Sequence, residues 1–409
     1  MTSKTKAAVS QASTLSTTLL VALAAIGILG PFGTDVYLPA LPVMADELNV
    51  VPVTLQLTFT AFTFGMAFGQ IIFGPLSDKF GRRLFILGSS ALTIFVSAWA
   101  ALAESAVSLI IACGLLGLAA AACRVAANAV VSDIATGREA NRGFSLLGVM
   151  IGIGPILAPV GGAIAMSIGG SWRSIFWALA GYAAIVTITG FLLIPETLKP
   201  EDRHSGGFAS LVKAGGRILK NRIFLAYSLA MVFTFGAVFG YISYSAYIIE
   251  EILGWSPNAY AVVFAINGVF MMITGLIGAK ISKTWDPRKV LVIALVMNGI
   301  GSVGTLLVAL FNSPSSQVLL PLLALMAASM GFLFGPATTM ALIQVRQNAG
   351  TALALSGAGQ FVVAGVSAIL VSIEHSNHLL PFGIVVATFS ILAVFAARWG
   401  SWASRGIEI

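Results

Sequence analysis

The sequence predicts an all-α membrane protein of twelve transmembrane helices, arranged as two six-helix halves around a central cavity, and three observations predict it. Hydrophobic residues make up 58% of the 409 positions and charged residues only 9%, with a mean hydropathy of +0.98. That leaves far too little polar surface to cover a soluble globule of this size. Apolar segments of spanning length recur twelve times, and one long hydrophilic interior stretch divides them six and six.

Taken in order, the apolar segments fall at about 18–43, 52–77, 83–103, 106–134, 142–168 and 172–195, then at about 222–250, 257–283, 287–311, 317–345, 350–373 and 379–398. The stretch from Glu196 to Arg222 is rich in charge, glycine and serine and reads as a linker, giving halves 1–196 and 222–409 joined by 197–221. Cations divide unevenly between the connections. Lys4, Lys6, Lys79, Arg82, Arg83, Arg138, Arg142, the linker cations, Lys280, Lys283, Arg288, Lys289, Arg346, Arg398 and Arg405 share one side. The other side carries Asp46, Glu47, Glu104, Glu250, Glu251 and Glu374, with Arg173 as its evident cation. The positive-inside rule then puts both termini and the linker in the cytoplasm. The same asymmetry accounts for the net charge of +7 without a nucleic-acid partner. The first span follows a polar stretch of about 16 residues and lacks a short apolar region with a small-residue cleavage site, so it is expected to be kept. Cys113 and Cys123 are ten residues and roughly 15 Å of helical rise apart, too far to pair with each other.

The connection between the second and third segments is Gly74-Pro75-Leu76-Ser77-Asp78-Lys79-Phe80-Gly81-Arg82-Arg83. Asp78 is expected where one helix ends, Gly81 permits a left-handed turn, and Lys79, Arg82 and Arg83 form a positive cluster. This run resembles the signature loop of the major facilitator superfamily, with Lys79 where the pattern has an arginine. A related run, Gly278 to Lys289, stands 204 residues later between the second and third segments of the other half. It keeps the glycine and the terminal Arg-Lys, as parallel repeats around a central cavity would.

The first span holds Gly33-Thr34-Asp35-Val36-Tyr37-Leu38-Pro39-Ala40-Leu41-Pro42, with Asp35 roughly 12 Å inside its outer end. A carboxylate at that depth is expensive and marks a functional site by default, and Tyr37 beside it is expected to line the same cavity. The run resembles the first helix of a branch of that superfamily's drug:proton antiporters, the bicyclomycin and chloramphenicol resistance exporters. In the fourth span that resemblance implies an arginine where this chain has Cys113; Arg124 lies 11 residues further on, nearly on the same helical face. Arg124 is expected to line the cavity, with Asn128 one turn on. Asp133, at the end of this span, resembles an acid that the family places there, with Arg82 and Arg142 as candidate partners. The fifth span carries Gly152, Gly154, Pro155, Pro159, Gly161 and Gly162, small residues that let helices approach and prolines that bend them. The set resembles the superfamily's antiporter signature. Ser171-Trp172-Arg173 and Pro195-Glu196-Thr197 resemble the same exporter branch.

In the second half Tyr241 and Tyr244 sit three apart in the seventh span, either stacking on a flat substrate or forming an outer aromatic belt. Asn267 and Gln360 are further intramembrane polar groups with cavity potential. Glu374, His375 and His378 lack a fourth ligand nearby, so no metal is expected, and the absence of phosphate-loop, metalloprotease and nucleophile-elbow motifs argues against an enzyme and against a cofactor. The resemblance implies a monomeric proton-coupled antiporter in the bacterial inner membrane, exporting a small amphiphilic drug by alternating access. In this scheme Asp35 carries the proton, and Asp78 gates against the start of the eleventh helix near Asn348. The alternatives are a proton-coupled symporter or a sugar or metabolite exporter on the same fold and, less favoured, a non-transporting receptor.

Overall fold

A computed structural model describes residues 16–134, 154, 157–198, 215–282, 284–311, 315–345, 349–372 and 379–405. The described chain is nearly all helix. We number the helices by span: α1 (Thr17–Glu47), α2 (Pro52–Phe80), α3 (Arg82–Ala101), α4 (Ala106–Ile134), α5 (Leu157–Gly169) and α6 (Arg173–Leu193). The second set is α7 (Arg222–Ile252), α8 (Pro257–Ile281), α9 (Pro287–Leu310), α10 (Ser316–Leu342), α11 (Ala349–Ser372) and α12 (Leu380–Ala403). Among the described residues eleven helices are long and apolar enough to cross a membrane, and α5 is a shorter apolar helix where the fifth span is expected. Apolar side chains such as Phe95 and Leu192 stand more than two-thirds exposed on the outer surface, where lipid can cover them.

Local chemistry sets the helix starts. Ser16, Asn221, Ser256 and Asp286 each accept a backbone N–H of the following first turn, and prolines open α2, α8 and α9, where a missing N–H costs nothing. The run from Gly74 to Arg83 is not a loop. α2 continues to Phe80 and α3 begins at Arg82, so Asp78 lies inside the last turn of α2 and Gly81 alone makes the connection, at φ 104°. Only glycine takes that conformation without strain.

The same packing recurs six helices apart. α1 packs on α4 and α6, α2 on α4, and α3 on α4 and α6; α7 likewise packs on α10 and α12, α8 on α10, and α9 on α10 and α12. Within the first set, α2 and α4 meet backbone to backbone. A β-carbon at Gly65 would stand 2.2 Å from the Gly114 carbonyl oxygen, and one at Gly117 would stand 2.0 Å from that of Phe62. Between the sets, α2 runs along α11, and the 3-10 turn of α1 at Leu38–Ala40 touches α7 and α8. The α2–α11 contact extends over much of the bilayer. Ser372 hydrogen-bonds Gln56 at one end, and Gly357 lets Gln70 approach toward the other.

Candidate functional site

Pro31 interrupts the ladder of α1, having no N–H to offer Gly27, and four residues later the α-helix gives way to the 3-10 turn. Asp35 stands at this break, 3% exposed. It lines a cavity of about 150 Å³ between the two sets of helices. One wall is Gly27, Gly30, Pro31, Thr34 and Asp35 of α1 with Phe62, Met66 and Arg124; the other comes from α7, α8, α10 and α11. An apolar void of roughly this volume holds one benzene ring.

The opposite wall is aromatic. Phe235 stacks on Phe239 at 3.9 Å between ring centroids, and Phe361 meets Phe235 edge-on at 5.4 Å. Phe264, Phe334, Met271 and Met330 complete it, a mixture of flat and adaptable surfaces. Polar groups are few. Asn267 donates to the Tyr241 hydroxyl at 2.5 Å, Gln360 joins from α11, and the Arg124 guanidinium lies 5.9 Å from the Phe361 ring centroid. That cation–π distance spans the two sets of helices. The ion pairs among the described residues are Arg82–Asp78, Arg82–Asp133 and Arg173–Glu47, so neither Asp35 nor Arg124 is in one.

Asp35, Arg124, Tyr241, Asn267 and Gln360 thus surround one space, while Tyr37, Asn128 and Tyr244 are outside its lining. Tyr37 follows Asp35 by two residues, roughly 200° around a helix, which turns it to the opposite face. It is fully buried in the first half, stacked on Phe176 at 5.5 Å with its hydroxyl beside Cys113. Cys113 therefore packs behind α1 and leaves Arg124 as the cavity's cation. Tyr244 packs against Tyr247 and Phe382 at 4.8 and 5.7 Å, and Asn128 is half-buried one turn past Arg124.

Of the small residues in the fifth span, Gly154 and Gly162 press against the cavity segment of α1. A β-carbon at Gly154 would stand 2.4 Å from the Pro31 side chain, and one at Gly162 would stand 1.8 Å from the Val36 carbonyl oxygen. Gly161 has open space, Pro159 is buried, and Gly152 and Pro155 lie outside the described residues.

The basic end is built around Arg82, 8% exposed. Its guanidinium pairs with Asp78, donates to Ser77 Oγ at 2.8 Å and to Asp133 Oδ2 at 3.1 Å, while Gly74 sits one turn before Asp78. Asp133 pairs with Arg82, its other candidate partner Arg142 lying outside the described residues, and the Thr197 hydroxyl also donates to it. Asp78 pairs within its own half, and Asn348 lies outside the described residues. Sequence reasoning missed Glu196 as a cap. Its carboxylate accepts the backbone N–H groups of Arg82 (2.9 Å) and Arg83 (3.3 Å), placing an anion at the N-terminus of α3. The Arg83 side chain donates to the Phe191 carbonyl at 2.8 Å. At the acidic end Arg173 pairs with Glu47, which also accepts from the Trp172 indole at 2.5 Å. Glu250, read as part of an outer connection, instead belongs to the closing π-helical turns of α7, with one buried carboxylate oxygen lacking a hydrogen bond. Glu374, His375 and His378 are outside the described residues, among which no metal-binding cluster occurs.

Two sets of helices with one repeated packing scheme, enclosing a cavity with a buried acid at its edge, define a multi-pass membrane transporter. The chain belongs to the Major Facilitator Superfamily, whose family model matches residues 23–368. It is 30% identical over 375 residues to an uncharacterized MFS-type transporter, YdgK, of Bacillus subtilis (strain 168), covering 91% of this chain and 93% of that one. It is 27% identical over 389 residues to a bicyclomycin resistance protein homolog of Haemophilus influenzae, covering 92% and 94%. Among solved structures, a D-xylose-proton symporter shares the fold with a TM-score of 0.74 at 16% identity, covering 94% and 96% of the two chains.

Proposed function

We propose that the protein is a monomeric proton-coupled antiporter in the bacterial inner membrane, exporting a small amphiphilic drug of the chloramphenicol or bicyclomycin kind. In this reading the halves 1–196 and 222–409 rock about the cavity, with both termini and the 197–221 linker in the cytoplasm. The observation that carries it is Asp35, a buried carboxyl without an ion-pair partner among the described residues, on the wall of a cavity shared by both halves. Such a group can change charge during a cycle. Arg124 cannot at physiological pH, so it acts as a fixed charge for substrate binding. A proton enters at Asp35 from outside and leaves inside, and drug occupies the phenylalanine-lined space when the halves part to admit it. The related bicyclomycin resistance protein homolog supports the drug class.

The solved sugar symporter raises import as a second reading. A sugar needs many hydrogen bonds around its ring, whereas Thr34, Asp35, Arg124, Tyr241, Asn267 and Gln360 are scattered through a wall of phenylalanine and methionine. That favours a mostly apolar ligand. Purified protein in sealed vesicles, given an imposed proton gradient and a panel containing chloramphenicol, bicyclomycin and xylose, tests the choice. Drug should move opposite to protons. Co-directional movement, or xylose uptake alone, overturns the proposal.

A further inference from the structure

We propose that the groove between α9 and α12 at the basic end binds an anionic phospholipid, its phosphate among three arginines and one acyl chain along the groove. The groove encloses about 630 Å³ and carries Arg288, Arg398 and Arg405 at its rim. Below them run Val292, Val296 and Ile300, each more than half exposed on the outer surface of the helix bundle. Arg288 and Ile300 are twelve residues apart, roughly 18 Å of helix, close to the ~15 Å hydrocarbon depth of one leaflet. A headgroup held by the arginines therefore lays its chain over the valine and isoleucine surface without a break. Trp402, also lining the groove, is 57% exposed on the same rim, where an indole suits the membrane interface.

The rim is held in shape. Arg288 donates to the Ser404 carbonyl at 3.0 Å, and the Ser404 hydroxyl meets that of Tyr227 at 3.2 Å on the groove floor. The nearby acid Asp286 caps α9 by accepting the Arg288 backbone N–H at 2.8 Å. Comparison with the first half sharpens the point. There Asp78, Asp133 and Glu196 surround Arg82 and Arg83, so the protein supplies its own anions. Aligning Arg288 and Lys289 with Arg82 and Arg83, a shift of 206 residues, puts Thr284 at the place of Asp78, Thr339 at that of Asp133 and Trp402 at that of Glu196. Among the described residues neither Arg398 nor Arg405 is ion-paired. An anionic headgroup complements Arg398 and Arg405, and basic pockets between membrane helices suit such groups.

The test uses the full chain, purified and delipidated in detergent, with bound lipid counted by native mass spectrometry after adding equal phosphatidylglycerol and phosphatidylcholine. Each arginine near a membrane surface is worth about fivefold in affinity for anionic lipid, so phosphatidylglycerol should be retained at least tenfold over phosphatidylcholine. R398Q/R405Q should cut that preference to about fivefold or less, the share left to Arg288. Gly299→Leu leaves every charge in place and puts a side chain in the groove, where the β-position has nothing within 4 Å, so it should fold normally and lower retention. It decides the matter if the double variant unfolds. Equal retention of the two lipids, an unchanged preference in R398Q/R405Q, or undiminished retention in Gly299→Leu overturns the proposal. So does displacement by millimolar inorganic phosphate alone, which indicates a free-anion site.

Discussion

Replacing Gly162 by alanine adds one carbon where α5 lies against α1. That carbon would stand 1.8 Å from the Val36 carbonyl oxygen, so reaching the 3.4 Å of ordinary contact requires a shift of about 1.6 Å in one helix or the other. Val36 adjoins Asp35, so the strain falls on the residue that sets the cavity's chemistry. Overpacking of this kind costs roughly 1–3 kcal/mol, and the gain from replacing a helical glycine returns about 1 kcal/mol, leaving a net loss of up to ~2 kcal/mol. Gly161→Ala is the internal control. It has the same chemistry one residue away, with nothing within 4 Å of the new carbon, so it should be neutral or mildly stabilising. Thermal unfolding of the two variants in detergent, paired with drug efflux from cells, separates them. G162A should melt lower and transport less, and G161A should match the parent. Equal melting and equal efflux in the two variants would refute a close α5–α1 contact at Gly162.

Other substitutions probe the remaining contacts. Arg82→Lys keeps the charge but loses the fork that reaches Ser77, Asp78 and Asp133 together, and should lower stability by about 1–3 kcal/mol in the same melting assay; full stability would contradict that role. Cysteines at Gln56 and Ser372 should cross-link under mild oxidant and arrest transport until reduced, because these residues touch across α2 and α11. Free transport with the cross-link formed would show that this end does not part. Phe361→Ala removes the ring beside Arg124 and part of the aromatic wall, so drug affinity measured by fluorescence or calorimetry should fall about 5–50-fold. An unchanged affinity would move the drug elsewhere.

Much of the fold was legible because membrane helices announce themselves by length and apolarity, and because each half needs the same turns. The single-residue connection at Gly81 was less so. Charged residues usually mark a loop, yet here Asp78, Lys79, Arg82 and Arg83 lie in helix, since the pairing of Arg82 with Asp78 and Asp133 satisfies charges at the helix ends. Asp35 and Arg124 stood out as charges in apolar surroundings. Tyr37 was placed in the cavity by nearness in sequence, although the helical angle from Asp35 already pointed it away. The phenylalanine wall left no trace, because among 26 phenylalanines periodicity cannot separate a cavity face from a lipid face in a helix apolar all round. Glu196 was visible as part of a motif, but its cap on α3 spans 114 residues of sequence and needs the fold to bring it there.

The central claim is that Asp35 carries the proton. Asp35→Asn keeps the shape and much of the hydrogen bonding while removing titration, and Glu250→Gln does the same at a half-buried acid at the end of α7. The decisive measurement is drug accumulation in reconstituted vesicles against its gradient, with proton release followed by a pH dye. The account predicts that Asp35→Asn inserts and binds drug, yet neither concentrates it nor releases protons, while Glu250→Gln retains both. Proton-driven accumulation at the parent rate by Asp35→Asn would contradict it.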